Sequence, residues 1–134
     1  MRISVAGIPA PQGSKKHVGH GIMIEQSRAV GPWREAVRGE TQRALMDGAW
    51  LAGTHQPVAV TITFYLARPK SAPKRVLYPA TRPDLDKLIR SVLDGLQSGG
   101  AFHDDSQVVR LAARKVFCAP GATPGCLIEL EIEG

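Results

Sequence analysis

A chain of 134 residues with 43% hydrophobic and 22% charged side chains has the size and apolar content of one compact domain. Aromatics at 5% are too few for a platform that stacks single strands, and no apolar run approaches the roughly 18 residues of a membrane span. The net charge of +5 suits a polyanionic partner, and an N-terminus without a secretory apolar segment makes a cytoplasmic protein the expectation.

Residues 1–8 alternate apolar and polar and end at Pro9 and Pro11, as a first strand would. The stretch 12–27 is rich in turn signals and carries the basic pair Lys15–Lys16; the triplet Ile22-Met23-Ile24 suggests a short second strand. A helix is expected from about Pro32, a favoured first-turn residue, to Gly48. Trp33, Val37, Ala44, Leu45 and Met46 would form its apolar stripe. Residues 58–66 are β-branched and aromatic and make the clearest strand. A proline- and lysine-rich loop follows from Arg68 to Pro83, longer than most connections and therefore a candidate functional segment.

Leu85, Leu88, Ile89, Val92, Leu93 and Leu96 repeat as one buried face of a second helix, which stops at Gly99-Gly100. Strands are expected from about Gln107 to Cys118 and from Leu127 to Glu133, the last with Ile128, Leu130 and Ile132 inward. The order β-(β)-α-β-α-β-β describes an α+β domain over residues 1–134, with two main helices on a small mixed or antiparallel sheet. Cys118 and Cys126 flank a Pro/Gly-rich turn, which would set them across a hairpin as packing residues rather than as a disulfide.

Chemistry concentrates between residues 68 and 90. Arg68, Lys70, Lys74, Arg75, Arg82, Lys87 and Arg90 surround just two acids, Asp84 and Asp86. Asp84 follows Pro83 at the start of the helix, where a carboxylate serves as an N-cap, and this alone accounts for it. Asp86 is not explained that way. With residue 84 extended, both carboxylates can converge beside the helix start, and a third would complete the oxygen-rich site that Mg²⁺ prefers. Asp104 and Asp105, about 20 residues later, are the candidates, and their distance from the pair is open in the sequence. Asp94 reads as a solvated or helix-packing residue and His103 as an exposed loop histidine. Lys115 is either a DNA contact or a surface lysine. His17 and His20 lack the partners of a zinc site. The segment 7–15 has the wrong spacing for a phosphate-cradling P-loop.

Residues 82–108, R-P-D-L-D-K-L-I-R-S-V-L-D-G-L-Q-S-G-G-A-F-H-D-D-S-Q-V, resemble the core signature of the RusA family of Holliday junction resolvases, and G-I-P-A-P-Q-G-S-K-K resembles its opening. The resemblance implies a homodimeric, Mg²⁺-dependent endonuclease, with Mn²⁺ able to substitute, that cuts four-way DNA junctions by paired nicks. It marks Asp84, Asp86 and Asp105 as catalytic, metal-binding aspartates. Arg90 stands where the family has a functional lysine, and Lys87 where it usually has asparagine. Arginine holds a phosphate well but does not donate a proton near neutral pH, which leaves Lys87 as an alternative ammonium. Lys15, Lys16, Lys74, Arg75, Arg82, Lys87 and Lys115 are the expected DNA-contacting cations, with Arg28 and Arg34 beside the first pair. A branched-DNA-binding module without turnover is the competing reading.

Overall fold

In the computed structural model, residues 1–13, 15–17, 23–25, 29–48, 50 and 52–134 are described. Strand β4 (Val58–Leu66) occupies the middle of the sheet, because its even-numbered residues Val58, Val60, Ile62 and Phe64 are apolar and all bury against the helices. Around it the order is β1 (Arg2–Ala6), β6 (Gly125–Ile132), β4, β5 (Val108–Phe117). β1 and β4 both pair antiparallel with β6, whereas β4 and β5 run parallel. The sheet is therefore mixed, and β2 (Lys15–His17) with β3 (Met23–Glu25) forms a separate antiparallel pair.

A parallel pair needs a crossover between its strands. The basic loop and helix α2 (Leu85–Gly99) supply it, and α1 (Val30–Asp47) packs beside α2 on the same face of the sheet. Leu88, Val92 and Leu96 of α2 are fully buried, while Leu85, Ile89 and Leu93 are partly buried at the margin. A second buried stripe on α2 is made of small residues, Ser91, Gly95 and Gly99. It allows α1 to approach so closely that a Cβ on Gly95 would lie 2.7 Å from Val37, and one on Gly99 2.7 Å from Thr41. No helix among the described residues is long and apolar enough to cross a membrane.

Several expectations are corrected. α1 starts at Val30, which leaves Pro32 in the first turn as expected, but Met46 is exposed rather than part of the stripe. Thr41 takes that inward place by returning its hydroxyl to Val37 O at 2.7 Å. Ile132 is 39% exposed, three residues past Glu129, where the pairing of β6 with β1 ends. The hairpin between Cys118 and Cys126 does not exist, since β4 lies between β5 and β6. Both cysteines are free, and burial pushes the Cys126 thiol up to about 12. Ile22, Arg28 and His20 lie outside the described residues.

Alanine at an exposed helical glycine normally stabilises by up to about 1 kcal/mol. At Gly95 the sign reverses. Gly95→Ala forces α1 off α2 and lowers unfolding free energy by about 1–3 kcal/mol, measurable by urea denaturation.

Candidate active site

Asp84 occupies the N-cap position of α2 with extended backbone, φ −70° and ψ 135°. Its side chain makes no capping hydrogen bond. The capping explanation therefore describes the position of Asp84 and not the use of its carboxylate. That carboxylate is exposed, with the Lys87 ammonium 3.9 Å away. Asp86 lies in the first turn and Arg90 one turn further along the same side, both exposed. Among the described residues neither side chain has a polar partner.

The preceding loop supplies the surrounding charge. Lys74, Arg75 and Arg82 are exposed on it. Arg68 is exposed but folded onto the loop itself, with its guanidinium 5.0 Å from the centre of the Phe117 ring and its N–H groups donating to Val76 O and Pro73 O. Lys115, expected on the surface or on DNA, donates from Nζ to Thr81 O at 2.7 Å and to Pro83 O at 2.8 Å. The Arg82–Pro83 peptide is cis. The segment that follows β1 also reaches this region: Gln12 N–H donates to Lys87 O, and Ser91 Oγ donates to Ala10 O, seating residues 10–12 along the first two turns of α2. Lys15 and Lys16 belong to β2, and their side chains lie outside what is described.

Asp104 and Asp105 differ sharply. Asp104 caps a single 3-10 turn (Asp105–Gln107), its carboxylate accepting from Ser106 N–H at 3.0 Å. The hydrogen bonds from Ser106 hold its carboxyl below the usual carboxylate range. Gln107 closes the box from the other side: its Oε1 accepts from Asp104 N–H and His103 N–H, and its Nε2 donates to Gly53 O and Gln56 O. This buried, fully engaged glutamine escaped notice in the sequence, although the D-x-x-Q spacing of residues 104–107 is that of a capping box. Asp105 has its N–H tied to Gln97 Oε1 at 2.9 Å, and its exposed carboxylate has no partner among the described residues.

The same bond locates Asp105. Gln97 lies eleven residues along α2 from Asp86, roughly 17 Å at about 1.5 Å per residue. β5 gives a concordant measure: it starts just after Asp105 and carries Lys115, which touches Pro83, roughly 23 Å further on. Asp84 and Asp86 thus sit at one end of α2 and Asp105 at the other. Among the described residues no three His, Cys, Asp or Glu side chains are close enough to hold a metal ion. Asp94 forms an ion pair with Arg34 at 3.6 Å, and His103 is exposed.

Two exposed carboxylates thus stand at the start of α2, with the exposed cations Arg82 and Arg90 on either side of them in the chain. Comparison with known families gives the class: residues 6–131 match the family model described as endodeoxyribonuclease RusA, and the chain belongs to that family. Comparison with curated proteins returned no match.

The two neighbouring aspartates should separate experimentally. Asp104→Ala lowers the thermal midpoint near pH 7, whereas Asp105→Ala leaves it unchanged. Because the folded Asp104 pKa is depressed, its contribution is present above the ordinary carboxylate pKa and is lost as pH falls below about 4. The gap between wild type and Asp104→Ala therefore narrows in unfolding scans taken near pH 3.

Proposed function

We propose that the protein is a Mg²⁺-dependent endonuclease that resolves four-way DNA junctions by paired nicks in recombination and repair, acting as a homodimer. The observation that carries this reading is the position of Asp84 and Asp86 at the start of α2, exposed and with no capping hydrogen bond from the Asp84 carboxylate, in a chain of the RusA family. Hard carboxylate oxygens fit Mg²⁺, with Mn²⁺ a workable substitute. When bound, such an ion supplies water activation and neutralises charge on the scissile phosphate.

The chain's own residues do the rest. Asp84 and Asp86 hold the ion. Arg82, Lys74 and Arg75 contact phosphates and set the register of the backbone on the protein. Arg90, four residues beyond Asp86, holds the scissile phosphate and does not donate a proton near neutral pH. Lys87, already beside Asp84, provides the nearest ammonium.

Asp105 is the third carboxylate of this proposal, and one chain does not bring it to the other two. A symmetric dimer resolves the conflict by setting Asp105 of one subunit beside the acid pair of its partner, which also suits a two-fold symmetric junction and paired cuts. The same separation favours the competing reading, a junction-binding module that does not cut, so the test must distinguish them.

A synthetic four-way junction with Mg²⁺ should give symmetric nicks that vanish with EDTA or with Asp86→Asn, while junction binding persists because losing an acid reduces repulsion of phosphates. Absence of cleavage on branched DNA, across metals and sequences, sinks the nuclease reading. Mixing Asp86→Asn with Asp105→Asn subunits tests the shared site. If each site draws on both chains, the mixed dimer retains one intact site and nicks one strand; if each chain carries its own, no cleavage returns.

A further inference from the structure

We propose that Lys115 is a positioning residue for the acid pair: its ammonium locks the turn from which Asp84 and Asp86 project. This rests on the nuclease reading above. Lys115 stands opposite Phe64 in the parallel register of β4 and β5, on the helix side of the sheet, and is half-buried. From there Nζ reaches Thr81 O at 2.7 Å and Pro83 O at 2.8 Å, leaving Asp84 as the very next residue.

The segment has few other means of being held. Pro79 and Pro83 have no N–H to donate. Among the described residues, backbone pairing in the loop ends with Ala80 N–H on Tyr78 O and resumes with Leu88 N–H on Asp84 O. The carbonyls between them that are engaged are engaged by Lys115. Charge-assisted bonds of this kind are roughly twice as strong as neutral ones. Arg68 does the corresponding work at the entrance of the loop, through Pro73 O and Val76 O. Arg68 and Lys115 thus both donate to carbonyls of the loop, which carries Lys74, Arg75 and Arg82 exposed.

A phosphate contact and a clamp differ in what they change. A lost phosphate contact weakens binding and lowers the salt slope by about one unit. A lost clamp misplaces the acids, and a displacement of about 1 Å can cost around a hundredfold in rate. The test compares wild type, Lys115→Met and Lys115→Arg on a labelled four-way junction. Expected for Lys115→Met are junction affinity and salt slope close to wild type, a single-turnover rate at saturation lowered tenfold or more, and faster amide exchange confined to residues 82–88. Lys115→Arg, which still donates to two carbonyls, regains most of the rate. Weaker binding with a reduced salt slope and an unchanged saturated rate overturns the proposal. If Lys115→Met fails to fold, Lys115→Arg is judged by the same split: near-normal rate supports the clamp, and a binding defect alone overturns it. If wild type cuts no junction, the nuclease reading fails, and exchange still judges the clamp, since unchanged exchange at 82–88 overturns it.

Discussion

The parallel pairing of β4 with β5 is the constraint on which the rest of this molecule depends. Antiparallel neighbours can be joined by a short turn, but parallel ones oblige the chain to return the length of the sheet. Here the return is made by the basic loop and α2. The helix start is thereby fixed at the C-terminal ends of both strands, where ligands collect in open α/β sheets because helix N-termini and loops meet there. Asp84, Asp86 and the loop cations gather at that end. The same geometry sends Asp105, which precedes β5, to the opposite end. The placing of Asp84 and Asp86 at one end of the sheet and that of Asp105 at the other both follow from one strand pairing.

Close packing of the two helices maintains the arrangement. Ser91, Gly95 and Gly99 let α1 sit nearly backbone to backbone against α2, with Val37 and Thr41 filling the space a side chain would take. Ser91 also bonds Ala10 O, so the segment leading out of β1 is tied to the turns that carry Lys87 and Arg90. The start of α2 is rigid on three sides: the sheet below, the N-terminal segment beside it, and the Lys115 bonds before it. Rigid support of this kind is what a metal site with demanding geometry requires.

Much of this was legible in the residues. β4 announced itself by β-branched content, and α2 by its 3.6-residue repeat, because tertiary packing there agrees with local preference. The family signature singled out Asp84, Asp86 and Asp105, and the capping pattern at 104–107 was present though unread. What could not be read was pairing. Strand order decided that Cys118 and Cys126 are not neighbours and that Asp105 lies far from Asp84, and strand order is a non-local property. The small-residue stripe on α2 was invisible to a search for apolar residues, since Ser and Gly bury through closeness rather than hydrophobicity.

Charge shows the same limit more sharply. A count of cations from 68 to 90 treats each as available to a phosphate. In the folded chain Arg68 is occupied by carbonyls and an aromatic ring, and Arg34 and Lys87 lie against acids. A cation satisfied by backbone carbonyls gains little from exchanging them for a phosphate, because the carbonyls would then lose their charge-assisted donors. Arg82, Lys74, Arg75 and Arg90 are exposed and have no side-chain partner among the described residues, so no such exchange with those residues opposes a phosphate there. The charge open to a polyanion is therefore smaller than composition suggests: it lies on Arg82 and Arg90 about the start of α2 and on the loop before it, whose own carbonyls hold Arg68 and Lys115.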